Sequence, residues 1–382
     1  MTQTFGLNAF KFGLFSANCL GGLTFSAAPE RWPAEWDDVV RVSQMADEAG
    51  IEFILPVAKW RGIGDADNFG RSFETLTHSA AIGALTKRIG VFATVHVTLL
   101  TPAFAAKSIS TIDHVTHGRA GLNIVCGWNP AEFSLHGQAV DGEHRYDYGK
   151  EWFEIFAKLC EGGKAFDWKS EHFNLTGCVT NPLPVQRPRP PIMSAGFSQK
   201  GREFAAQVAD ILFTVLPDLE QGRNFVSAVR ADAAALNRSV DVYSTTQIVC
   251  RPTRKEAEDF YYYFAEEMAD ETALSYFQRH RLKVQAKDGV TPDHPVARKK
   301  NDRFANATGK AYAGLFPGTY PLVGTPDDIV IELQKLHAIG LAGSALVFLN
   351  YLEEMPYFLS EVLPRMERVG LRRPPPSVDS EA

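Results

Sequence analysis

Short apolar runs alternate with helix-length amphipathic stretches along most of the chain. Residues 11–16, 53–56, 88–95 and 120–125 read as four strands, and 192–195, 211–215, 240–249 and 343–349 as four more. Helical patterns lie between them at 36–48, 73–85, 102–114, 146–160, 201–207, 219–236, 253–268 and 326–338. The first would bury Val39, Val42 and Ala46 on one face, and Gly50 closes it. Pro102 falls in the first turn of the third helix, where its missing N–H costs nothing. The strands are nearly continuous apolar runs rather than in–out alternations, the pattern of parallel strands covered on both faces. Eight such units predict an α/β fold, a (β/α)8 TIM barrel. The rival, an open doubly wound sheet, lacks its nucleotide-binding glycines. Gly62-Ile63-Gly64 follows the second strand, and Asp67 stands where a third glycine is needed.

Two segments break the repeat. An alternating, aromatic-bearing stretch at 166–179 predicts a hairpin within an insertion at about 162–190, followed by proline-rich 181–191. Residues 269–321 join the seventh helix to the eighth unit and carry Arg298, Lys299, Lys300 and Arg303. A segment that long reads either as a solvated surface insertion or as a lid over the barrel mouth. One domain over 1–371 is expected, with a proline-rich, disordered tail at 372–382.

Composition narrows the function classes. The 382 residues are 45% hydrophobic and 22% charged, with a net charge of −6, which excludes general disorder and a global basic field for nucleic acid. Five scattered cysteines (Cys19, Cys126, Cys160, Cys178 and Cys250) form no CxxC pair and no metal-ligand cluster with histidine, so a reducing compartment and no metal are expected. The longest nearly apolar stretch, 89–106, contains His96 and Pro102 and reads as a strand running into a helix, not a membrane span. No basic-then-apolar leader is read at the N-terminus, and a cytoplasmic location is expected.

In such a barrel the chemistry sits at the C-terminal strand ends. There the chain places Asn18 and Cys19, then Lys59-Trp60-Arg61, Thr94 and His96, Asn123 with Cys126, Trp128, Asn129 and Glu132, and Ala195-Gly196-Phe197-Ser198. No Ser/His/Asp order, His pair or carboxylate cluster appears, which disfavours hydrolases and metalloenzymes. Amides and hydroxyls among apolar residues instead suit a flat organic ligand with a polar edge. Asn123, inside an apolar strand, must find partners. Lys59 and Arg61 suit an anionic or carbonyl ligand. Arg145-Tyr146 at one helix start and Ser198 at another read either as two ordinary helix starts or as two anion-ready turns suited to a phosphorylated cofactor.

The stretch 81–148 resembles the bacterial-luciferase-like flavin-dependent monooxygenase superfamily. The cues are Ala105-Ala-Lys-Ser-Ile-Ser-Thr-Ile-Asp113, Gly118-Arg-Ala-Gly-Leu-Asn-Ile-Val-Cys-Gly-Trp128, Glu132 and Arg145-Tyr-Asp-Tyr148. The pattern is most similar to the pyrimidine monooxygenase branch, with dimethylsulfone and alkanesulfonate monooxygenases nearby, and the segment Lys59-Trp-Arg-Gly62 looks like the pyrimidine branch more than the sulfonate one. The resemblance implies FMN, used as FMNH2 from a separate NAD(P)H-flavin reductase, with O2 and a small organic substrate of the pyrimidine, sulfone or sulfonate kind. It implies FMN contacts at Ala58, Lys59, Asn123, Glu132, Arg145, Tyr146 and Ser198, and a dioxygen-holding pair at Thr94 and Asn123. Arg61, His96 and Trp128 are expected on the substrate side, and a homo-oligomer is expected. Two alternatives stay open: a deazaflavin-dependent oxidoreductase on the same barrel, and a catalytically silent flavin-binding protein.

Overall fold

The computed structural model describes residues 6–63, 67–127, 130–137, 144–196, 198–216, 218–276 and 319–373. Its strands are β1 (Lys11–Phe15), β2 (Phe53–Leu55), β3 (Gly90–His96), β4 (Ala120–Val125), β5 (Phe166–Lys169), β6 (Asn174–Cys178), β7 (Ile192–Ala195), β8 (Ile211–Thr214), β9 (Asp241–Cys250), β10 (Tyr320–Gly324) and β11 (Gly343–Val347). Eight of them, in the order β1-β2-β3-β4-β7-β8-β9-β11 and back to β1, pair in parallel and close a barrel. The expected TIM barrel is therefore the fold. The antiparallel β5–β6 hairpin stands apart from it, inside the expected insertion.

The register fixes what fills the barrel. Carried from Thr94 through β4, β7 and β8, the pairing reaches Asp241 of β9. Carried the other way, through β2, β1 and β11, it reaches Val249. The difference of eight residues between 241 and 249 is the shear of a (β/α)8 barrel, and its midpoint puts Thr245 level with Thr94 on the diametrically opposite strand. The lumen then fills in layers of four from alternate strands. The lowest is Phe53, Gly121, Ile211 and Gly343; above it come Gly13, Phe92, Met193 and Tyr243, and then Leu55, Asn123, Phe213 and Ala345. The uppermost is Phe15, Thr94, Ala195 and Thr245. The floor is largely aromatic, with Phe53 5.9 Å from Phe92 and 5.6 Å from Tyr243. Gly121 permits this packing: a Cβ there would lie 2.5 Å from the Phe92 ring. Polar side chains enter as the lumen rises.

The other strand face packs against the helices. Val91, Ala93, Val95, Leu122 and Ile124 meet Ile82 of α2 (Thr75–Leu85) and Ala105, Ile109 and Ile112 of α3 (Pro102–Val115). Pro102 opens α3 as expected, with Thr101 accepting the Phe104 N–H as its cap. No helix among the described residues is long and apolar enough to cross a membrane.

Two expectations change at their edges. Residues 269–276, the start of the expected surface insertion or lid, are docked: Asp270 N donates to Phe25 O (2.9 Å), and Asn68 Nδ2 donates to Asp270 Oδ2 (2.8 Å). At its far end the chain re-enters the fold as β10, which pairs with the upper half of β9 (Thr246–Cys250) beyond the end of β8. Residues 277–318 lie outside the described residues. Arg372, placed in the disordered tail, is instead buried, donating to Glu52 Oε2 (2.9 Å) and Gly50 O (2.7 Å). A buried Glu52 carboxylate needs that counter-charge. Residues 374–382 lie outside the described residues. Two helices, Tyr351–Glu361 and Leu363–Arg368, were not read from the sequence, because Pro356 and Pro364 punctuate them.

Candidate active site

The β1, β2 and β9 connections cover part of the barrel mouth with a small apolar cap. Cys19, Leu23, Phe25, Ile63, Phe69, Ala273 and Leu274 pack there above Val347. Beside the cap, the ends of β2, β3 and β4 bring the sequence-read residues together.

Thr94 and Asn123 are paired residues on β3 and β4, and both face the lumen. Asn123 Nδ2 donates to Thr94 Oγ1 at 3.2 Å, and Thr94 Oγ1 donates to Pro56 O at 2.5 Å. The Thr94 proton is thus held by a backbone carbonyl. The Thr94 oxygen accepts from the Asn123 amide, which keeps its second N–H. The Asn123 Oδ1 is buried without a partner among the described residues.

Ala58 and Lys59 follow β2, and Glu132 lies on the short helix α4 (Pro130–Phe133) after β4. Lys59 Nζ and Glu132 Oε1 form an ion pair at 2.7 Å with side chains 3% and 1% exposed. This pair ties the loop after β2 to the loop after β4, and Lys59 also lies 5.4 Å over the Phe69 ring. His96, two residues above Thr94, faces the edge of Phe133 at 5.5 Å. Burial pushes its pKa down to about 4, so it is neutral, and its Nδ1 has no partner among the described residues. Burial pushes the Cys126 thiol up to about 12, which makes it a small apolar residue rather than a nucleophile.

The two anion-ready turns converge. Arg145 and Tyr146 open α5 (Arg145–Glu161), and Ser198 caps α6 (Gln199–Val208) by accepting the Gly201 N–H at 3.1 Å. Tyr146 Oη lies 3.3 Å from Ser198 Oγ, an approach that Gly201 allows, since a Cβ there would stand 2.9 Å from the phenol oxygen. Arg145 Nη1 donates to Gly127 O at 3.2 Å, and its buried Nε is without a partner among the described residues. A phenol and a hydroxyl beside a helix N-terminus are groups of the kind that bind anions.

A family model described as luciferase-like monooxygenase matches residues 10–343. The chain belongs to the luciferase-like monooxygenase family. The chain is 28% identical over 367 residues to an FMNH2-dependent dimethylsulfone monooxygenase of Pseudomonas putida, covering 95% of this chain and 97% of that one. It is 30% identical over 355 residues to a pyrimidine monooxygenase, RutA, of Caulobacter segnis, covering 91% and 96%. Among solved structures, riboflavin lyase RcaE with modified FMN and riboflavin superposes with a TM-score of 0.80 at 21% identity over 96% of this chain and 93% of that one, a likeness of fold.

Within this luciferase-like monooxygenase the other sequence-read residues fall as follows. Arg61 is exposed, as is its neighbour Trp60, which packs on His136 with rings 4.7 Å apart. Trp128, Asn129 and Phe197 lie outside the described residues. Asn18 is a clamp: its Nδ2 donates to Val57 O (2.9 Å) and Phe73 O (3.0 Å), and its Oδ1 accepts from Val57 N (2.9 Å). Sequence reasoning read β9 as a strand but did not single out its lumen-facing polar residues. Thr245 and Gln247 face the lumen opposite Thr94 and His96, each with a buried polar atom unpartnered among the described residues. The polar run Ser244-Thr245-Thr246-Gln247 in an otherwise apolar strand was the signal available.

Proposed function

We propose that this luciferase-like monooxygenase is the oxygenating half of a two-component system. It would use FMNH2 supplied by a separate NAD(P)H-flavin reductase to place one atom of O2 into a small organic substrate. The observation that carries this reading is the buried Pro56–Thr94–Asn123 chain at the top of the lumen, which leaves one amide N–H and Oδ1 for a ligand.

The residues fit FMN. Oδ1 of Asn123 is an acceptor for a ring N–H, and the Lys59–Glu132 pair and Ala58 border the same mouth. The Arg145 Nε is a buried donor, and Tyr146, Ser198 and the α6 N-terminus suit the phosphate. Bound reduced FMN supplies the two electrons that divide dioxygen between the oxygenated product and water. The chain's own work is placement. Thr94 fixes the Asn123 amide, whose remaining N–H meets negative charge as it develops on the oxygen; a donor fixed in advance needs no reorganisation then. The packed aromatic floor below and the apolar cap above would limit the access of water, which would otherwise divert the oxygen chemistry.

Titration of FMN fluorescence tests the placement. Asn123→Ala and Ser198→Ala should weaken FMN binding, whereas Thr94→Val should leave it within a few fold. With reductase and substrate present, Thr94→Val should lower coupled product on the order of 10²-fold and raise hydrogen peroxide release. Full coupled turnover by Thr94→Val would show the hydroxyl to be structural only.

A further inference from the structure

If dioxygen is held on the β3–β4 side of the mouth, as proposed above, the opposite wall is β9, and nothing assigned so far uses it. Strand alternation splits its polar run. Ser244 and Thr246 face outward, where Thr246 Oγ1 meets Ser344 Oγ at 2.9 Å. Thr245 and Gln247 face the lumen, fully buried, level with Thr94 and His96 of β3. The buried Thr24 hydroxyl, on the connection after β1, donates to Gln247 Oε1 at 2.9 Å. That bond sets the amide's orientation: the oxygen is turned to Thr24 and the NH2 group away from it. Gln247 Nε2 and Thr245 Oγ1 are then both buried without a partner among the described residues. A buried donor left unmade is costly, so an oriented amide and a hydroxyl in one wall constitute a built half-site.

The charge state of the surroundings selects the ligand. His96, across the mouth, is uncharged at neutral pH. The buried lysine of the mouth, Lys59, is neutralised by Glu132. The lumen therefore offers neutral donors, which suit a neutral acceptor better than an anion that would have to leave water uncompensated. We infer that Gln247 and Thr245 bind the substrate, and that this substrate is a neutral small molecule whose carbonyl or sulfonyl oxygen accepts from Gln247 Nε2. Thr24 is the positioning residue that aims the amide. The place of this half-site in the reaction rests on the proposed oxygenation, but its ligand binding does not.

The test is calorimetric titration of dimethyl sulfone, uracil and methanesulfonate into the full chain, with and without FMN, alongside a separate FMN titration. Dimethyl sulfone or uracil is expected to bind the wild type, and Gln247→Met to weaken it by about tenfold while FMN affinity stays unchanged. Thr24→Val should weaken the same probe, and Thr24→Ser, which restores the hydroxyl, should recover it; a merely structural Thr24 would not separate these two. Equal binding by Gln247→Met overturns the inference. So does preferential binding of methanesulfonate, or binding of none of the three. Failure of the wild type to bind FMN would count against the proposed function instead, and the titrations without FMN would still decide the half-site.

Discussion

A carboxylate buried as deeply as Glu132 is tolerable only beside its counter-charge, and Lys59 at 2.7 Å supplies it. Lys59→Met strands that charge and should cost about 3–5 kcal/mol of stability in urea unfolding. The double variant Lys59→Met with Glu132→Leu should recover most of the loss, because an apolar pair of similar bulk needs no counter-charge. A double variant as unstable as the single one would mean the pair is not what holds the two loops. Single residues were partly legible in the sequence. Asn123 declared itself as an amide in an apolar strand, and Thr94 and His96 as polar residues at the end of the third strand. The commitment of the Thr94 proton to Pro56 O was not legible, because it depends on where the neighbouring strand ends.

At the scale of elements, the barrel floor depends on missing side chains as much as on present ones. Gly121→Ala pushes a Cβ to within 2.5 Å of the Phe92 ring and should destabilise by about 1–3 kcal/mol in thermal unfolding. Adding Phe92→Leu, which vacates that space, should return part of it; no recovery would place the strain elsewhere. Strands β4 and β7 and helices Trp36–Glu48 and Pro326–Ala338 could be read from the sequence to the residue, because continuous apolar runs mark the strands, Gly50 follows the first helix and Thr325-Pro326 opens the second. β10 could not. It pairs with β9 above the barrel proper, and no eight-fold repeat calls for a ninth parallel strand. The β9 wall was missed for a related reason: its polar run reads as a strand interior until the register shows which residues face the lumen.

For the whole molecule, buried histidines set the acid limit. Burial pushes His78 and His96 down to about 4 from the ordinary 6.5. The unfolded chain takes up these protons first, so the stabilisation is whole above pH 6.5 and is lost as pH falls toward 4, at up to ~1.36 kcal/mol per pH unit for each group. Glu354, raised to about 7 chiefly by burial and opposed by Arg251, acts in the other direction, its contribution being lost as pH rises through 7. His78→Leu should therefore flatten the decline between pH 6.5 and 4 by about one proton's worth, ~1.36 kcal/mol per pH unit, in urea melts. An unaltered slope would mean that the fold does not lower the His78 pKa. The chain also shows no credible nicotinamide fingerprint, so NADH alone should leave added FMN oxidised until a flavin reductase is present; bleaching without the reductase would contradict the two-component scheme. The most direct test is turnover with reductase-supplied FMNH2 under 18O2, set against the same mixture without oxygen. One heavy oxygen atom per product molecule, and no product in the anaerobic arm, is the predicted result. Product formed without oxygen would mark a hydride-transferring enzyme on the same barrel and contradict the account.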